Sequence, residues 1–179
     1  GATYPVEYDY DAFGRMVAMR TFRDEEDPGD ETRWLYDVAT GVLTNKVYAD
    51  DNGPAYTYRP DGQLASRTWA RDVTTTYTYT NGSSLAAIDY SDDTPDVFFQ
   101  YDRLGRMLSA VSSVSTNLFE YDGLDLVAET QNGAVIDCAT DSLGRTAGFS
   151  VAGVGDPGSP YAVTYGYDTY GRFSSVSTS

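Results

Sequence analysis

The chain has 179 residues, 41% of them hydrophobic, enough for one domain with a core of its own. Its 27 acidic residues against 12 basic ones give a net charge of −15, and so anionic a chain repels phosphate, which excludes nucleic acid and anionic membrane surfaces as partners. With no His and a single cysteine, Cys138, it lacks imidazole-based triads, imidazole metal sites and any internal disulfide.

The first element is Tyr8-Asp9-Tyr10-Asp11-Ala12-Phe13-Gly14-Arg15-Met16. Asp11 to Gly14 has the preferences of a type I turn, with Asp taking a local hydrogen bond and Gly a positive φ. A three-residue loop then closes a β-hairpin. Asp11 faces Arg15 as an ion pair, Tyr10 faces Met16 and Tyr8 faces Ala18. A charged stretch, Arg23 to Glu31, follows and reads as a solvated loop.

Imperfect copies continue down the chain. Tyr36-Asp37-Val38-Ala39-Thr40-Gly41 has one extra loop residue, and pairing Asp37 with Val42 keeps Tyr36 opposite Leu43. Tyr56-Thr57-Tyr58-Arg59-Pro60-Asp61-Gly62 loses the ion pair but has Pro at the second turn position; Tyr58 then faces Leu64 and Tyr56 faces Ser66. Tyr77-Thr78-Tyr79-Thr80-Asn81-Gly82 sets two rules against each other: Asn-Gly favours a two-residue turn, while the apolar face favours Tyr79 opposite Leu85. The face pattern is preferred, because a one-residue slip turns a whole strand over. Phe99-Gln100-Tyr101-Asp102-Arg103-Leu104-Gly105-Arg106 restores the full motif, placing Tyr101 opposite Met107 and Phe99 opposite Ser109.

Next, Tyr121-Asp122-Gly123-Leu124-Asp125 carries Asp125 where Gly is expected, Asp being tolerant of the left-handed region. Cys138-Ala139-Thr140-Asp141-Ser142-Leu143-Gly144-Arg145 keeps turn and ion pair but loses its rings, leaving Cys138 as a small buried hydrophobe. A second expected loop covers 153–160. The last copy, Tyr165-Gly166-Tyr167-Asp168-Thr169-Tyr170-Gly171-Arg172, places Tyr167 opposite Phe173 and Tyr165 opposite Ser175.

Anchors at Tyr10, Tyr36, Tyr58, Tyr79, Tyr101, Tyr121, Thr140 and Tyr167 recur at about twenty residues, the mark of a repeat array. No segment has a capped helical period. The expectation is all-β: one domain over 1–179 of about eight hairpins, an antiparallel array of fourteen to sixteen strands in a curved, strongly twisted sheet. Its end, inside a return strand, reads as a fragment of a longer protein. No signal peptide, lipidation site or membrane-spanning run is seen.

Most of the 16 Tyr follow the hairpin register and read as strand packing. Tyr90, Tyr161 and Tyr170 fall outside it and are candidates for stacking on carbohydrate. The carboxylates recur at turn positions, so no acid and base pair for catalysis stands out. The acidic runs near 24–31 and 89–96 lack the alternating spacing of a calcium loop. No catalytic residue, cofactor or metal is assigned.

The pattern Tyr-x-Tyr-Asp-x-x-Gly-Arg-hydrophobic resembles the YD repeat of the rearrangement-hotspot (RHS) family, which includes bacterial polymorphic toxins, toxin-complex shell proteins, wall-associated proteins and teneurins. The resemblance covers nearly the whole chain. It implies a hairpin sheet that in full-length relatives spirals into a hollow shell, in a secreted or cell-surface protein. In toxin relatives the shell encloses an effector; in others the repeats are associated with carbohydrate or cell-surface contact. Implied partners are other segments of a parent protein, its cargo, carbohydrate, or a second copy through the sheet edges. The family's self-cleaving aspartate motif is not matched: Asp27-Pro28-Gly29 and Asp156-Pro157-Gly158 lack the rest of it, so no self-cleavage is expected.

Overall fold

The computed structural model describes residues 4–24, 26, 28–152 and 161–179. These residues form sixteen strands and no helix, two strands for each of eight hairpins. In chain order they are β1 (Val6–Tyr10), β2 (Met16–Thr21), β3 (Asp30–Tyr36), β4 (Leu43–Val47), β5 (Ala55–Tyr58), β6 (Leu64–Thr68), β7 (Thr74–Tyr79), β8 (Leu85–Tyr90), β9 (Val97–Tyr101), β10 (Met107–Val111), β11 (Thr116–Asp122), β12 (Asp125–Gln131), β13 (Ala134–Thr140), β14 (Thr146–Ala152), β15 (Tyr161–Tyr167) and β16 (Phe173–Thr178). Spatial order is sequence order, so β1 and β16 are the two edges and the sheet does not close.

Five hairpins begin with the pair their sequence dictates. Tyr10 pairs with Met16, Tyr36 with Leu43, Tyr58 with Leu64, Tyr101 with Met107 and Tyr167 with Phe173. Gly14, Gly62, Gly105, Gly144 and Gly171 take a positive φ between 75° and 85°. The four-residue loop after Asp37 closes with the Asp37 N–H on Val42 O at 2.9 Å. At Thr80 the N–H reaches Ser84 O at 2.8 Å, closing three residues, as the face pattern required. There Ser83, not Gly82, takes the left-handed conformation, with φ 65°. The two-residue Asn-Gly turn occurs instead at Asn132-Gly133, where both residues have positive φ and Gln131 pairs with Ala134.

The outer pairs differ from expectation by one residue. Tyr8 meets Met19 rather than Ala18, Tyr56 meets Arg67 rather than Ser66, Phe99 meets Ala110 rather than Ser109, and Tyr165 meets Val176 rather than Ser175. The cause is a β-bulge placed at the same point of each hairpin, in which Val17, Ala65, Leu108 and Ser174 are passed over on the return strand. A bulge sets two residues against one and adds local twist, so pairing counted back from the turn runs one short.

The sixth hairpin also departs from the expected form. Asp122 pairs with Asp125 across a two-residue loop, and Gly123 carries the positive φ of 56°. Asp125 is a strand residue, since a Gly at the first of two loop positions already supplies the left-handed step.

The chain divides into two compact units, 1–78 with 88–94 and 79–87 with 95–179. In the first, the polar face is tied by Arg20, which reaches Asp9 at 3.0 Å and Glu31 at 2.7 Å across three strands. Asp30 and Glu31 thus belong to β3 and not to the expected loop; Glu25, Asp27 and the whole second expected loop, 153–160, lie outside the described residues. In the second unit, Gly148 lies where β14 passes so close to β15 that an added Cβ would stand 2.1 Å from Val163 O. Among the described residues the buried apolar side chains are Ala18, Pro54, Ala87 and Val163, while Tyr8, Tyr10, Phe98, Leu118 and Val176 are exposed.

Candidate functional site: a tyrosine and arginine seam between hairpins

The Asp of each full motif uses its carboxylate three ways. In the fifth hairpin Asp102 Oδ1 accepts the N–H of Leu104 at 2.8 Å and of Arg106 at 2.9 Å. Its Oδ2 accepts Arg106 Nε and Nη2, both at 2.7 Å. Asp11 with Arg15 and Asp141 with Arg145 repeat this arrangement. The turn fixes the carboxylate, and the carboxylate fixes the guanidinium plane.

That plane is aimed at the next hairpin. Arg15 lies 4.3 Å from the ring centroid of Tyr36, Arg106 4.2 Å from Tyr121 and Arg145 4.1 Å from Tyr167. The remaining guanidinium nitrogen bonds the neighbouring turn: Arg15 Nη1 donates to Gly41 O at 3.0 Å and Arg106 Nη1 to Gly123 O at 2.7 Å. The stacked tyrosine answers in the other direction. Tyr36 O–H donates to Met16 O at 2.9 Å, Tyr58 to Leu43 O at 2.9 Å, Tyr121 to Met107 O at 3.0 Å and Tyr167 to Thr146 O at 2.7 Å. Four pairs of successive hairpins are therefore joined by a hydroxyl going back, and three of these also by a guanidinium going forward.

On the two outermost hairpins the same side chains are more open: Tyr10 is 59% exposed, and the Arg172 side chain is 75% exposed against 26% for Arg106. The sequence shows the ion pairs but not the seam, because Arg15 to Tyr36, Arg106 to Tyr121 and Arg145 to Tyr167 have three different spacings. Only equal lateral placement of the hairpins reveals it.

The electrostatics follow. At Asp102 and Asp11 desolvation raises the carboxyl pKa, but backbone and side-chain hydrogen bonds from Arg106 and Arg15 outweigh it and the net shift is downward. At Asp141 the Arg145 side-chain bond leads the lowering, and at Asp168 the Arg172 backbone N–H. Asp37, lacking an arginine, is lowered by Thr40.

The other predicted residues fall elsewhere. Tyr161 and Tyr170 are exposed, at 54% and 83%, but stand at opposite ends of the last hairpin. Tyr170 lies 5.2 Å below the guanidinium of Arg172. Tyr90, expected to face solvent, is half-buried at the end of β8. Cys138 is half-buried instead of enclosed; it pairs with Phe149 and borders an open cavity. Among the described residues no group of three Cys, Asp or Glu side chains is placed to hold a metal ion.

No family model matches the sequence, and no curated protein does. Solved structures do match. The chain is similar to the Photorhabdus luminescens Tc holotoxin pore carrying a TccC3 substitution, at 19% identity and a TM-score of 0.58, covering 98% of this chain and 9% of that one. It is likewise similar to TcdB2-TccC3-TEV at 20% identity and TM-score 0.60, and to TcdB2-TccC3 at 20% and 0.56, each over 98% of this chain and 9% of the other. The chain thus spans about a tenth of the length of these structures. In fold it is an antiparallel array of hairpins of the kind found in the Tc toxins, and its repeats resemble the RHS/YD-repeat family along the same length.

Proposed function

We propose that the chain is a non-enzymatic structural module: a section of hairpin wall from a large exported or cell-surface bacterial protein that encloses or displays a polymorphic-toxin-like cargo. The carrying observation is the seam. Three hairpins turn their motif arginine onto the next one, which suits a surface extended by repetition. The likeness to Tc toxin structures and the exposed apolar side chains support the same reading, since such side chains and two open edges call for neighbouring segments or a second copy.

Light scattering on a size-exclusion column over a tenfold concentration range tests it. The expected result is a mass above the monomer that rises with concentration. A monomer throughout would mean that the face and edges need no partner, and would overturn the wall reading. The second reading, carbohydrate or cell-surface adhesion through exposed rings, draws on Tyr161 and Tyr170. A glycan screen with no ligand at millimolar concentration would remove it.

A further inference from the structure

We infer that the hairpin of β13 and β14 carries a binding site for a 4-hydroxyphenyl group, presented by another polypeptide segment as a tyrosine side chain. In the seams described above, a tyrosine lies back across the preceding hairpin. Its hydroxyl meets the carbonyl of the first residue of that hairpin's return strand, as Tyr121 meets Met107 O at 3.0 Å and Tyr167 meets Thr146 O at 2.7 Å. β13 breaks this series. Its anchor is Thr140, and two residues earlier stands Cys138 where other copies carry Tyr, Phe or Trp.

The corresponding carbonyl on the preceding hairpin is that of Leu126, which pairs with Tyr121 as Met107 pairs with Tyr101. A cavity of about 530 Å³ opens there, between Leu126, Cys138, Thr140, Phe149 and Tyr165, with Asp125 at its polar side. That volume lies within the range of small-ligand sites, and its walls are mostly apolar with few polar groups, the composition such sites have. The space is what two missing rings leave behind.

Chemistry narrows the occupant. Asp125 immediately precedes Leu126, the place that Arg106 holds before Met107 and Arg145 before Thr146. Where three of the other seams offer a cation to a ring, this one offers a carboxylate and a carbonyl, both acceptors. A ring bearing a hydroxyl donor satisfies them; a ring with an anionic substituent is repelled. Tyrosine fills seven of the eight anchor positions from within the chain, so a tyrosine from outside it has the matching shape for the eighth. The site does not depend on the wall reading.

The test is an amide chemical-shift titration of the whole chain with 4-methylphenol, with 4-methylanisole as the ring without a donor, and with N-acetyltyrosinamide as the polypeptide form. Binding of 4-methylphenol and the tyrosine amide with Kd of about 1 mM is expected, shifting Leu126, Cys138, Phe149 and Tyr165. The anisole should bind about two- to tenfold more weakly, the worth of one hydrogen bond. Thr140→Tyr should raise the melting temperature and abolish these shifts. Absence of shifts at millimolar probe, equal binding of the anisole, or binding of the small phenol but not the tyrosine amide would each overturn the inference. The wild-type titrations decide it even if Thr140→Tyr does not fold.

Discussion

Removing the Tyr121 hydroxyl is the sharpest probe of the seam. Tyr121→Phe keeps the ring and its stacking under Arg106 at 4.2 Å, and deletes only the bond to Met107 O at 3.0 Å. A neutral hydrogen bond of this kind contributes about 1 kcal/mol net, which in a chain of this size lowers the melting temperature by about 2–4 °C. Arg106→Gln removes the stacking and the fork on Asp102 while leaving the tyrosine in place. The cation and ring contribution, about 0.5–1 kcal/mol at a partly exposed site, is isolated by a double-mutant cycle of Arg106→Gln with Tyr121→Leu. Urea unfolding of the four proteins, followed by far-UV circular dichroism, supplies the free energies. A coupling of about 0.5–1 kcal/mol is expected. Strict additivity, together with an unchanged midpoint for Tyr121→Phe, would refute the claim that the motif binds one hairpin to the next.

Three further outcomes follow from the same geometry. Gly105→Val should destabilise by about 1–2 kcal/mol through its φ of +80° alone, since nothing stands within 4 Å of an added Cβ; a melting temperature equal to wild type would contradict the turn. Gly148→Ala should cost more than Gly105→Val, because its Cβ meets Val163 O at 2.1 Å on a neighbouring backbone; thermal unfolding of the two variants side by side gives the order. Asp11, Asp102, Asp141 and Asp168 all have folded pKa values below their ordinary 3.8. Their contribution is complete above the unfolded-state value of about 3.9 and is lost as pH falls through the lower folded value. Asp102→Asn should therefore lose stability at pH 7, and the gap to wild type should close in acid; a gap that is constant with pH would show that Asp102 does not act through its charge.

The boundary between what was legible in the sequence and what was not falls inside the hairpin. Turn chemistry is local: Asp102 to Gly105 needs only its own residues to close, and the pairing of Tyr101 with Met107 follows at once. The preference for Tyr79 opposite Leu85 over the bare Asn-Gly signal was also readable, because a slip would expose a whole face. Bulges were not readable. Passing over Leu108 or Val17 alters no local preference, and their effect appears only when the outer pairs are laid across the sheet. The sixth turn misled for a related reason: Asp125 and Gly123 both tolerate positive φ, and the two-residue closure decided between them.

The amino-acid sequence by itself determined the number of hairpins, their anchors and their ion pairs, since each depends on residues within a few positions of one another. The tertiary structure alone decided that Arg106 serves Tyr121, that Tyr10 and Arg172 are more open than their counterparts inside the array, and that Thr140 leaves a space. Those relations run between hairpins separated by connections of unequal length. Lateral hydrogen bonding sets such hairpins side by side at a fixed strand spacing, whatever the length of chain between them.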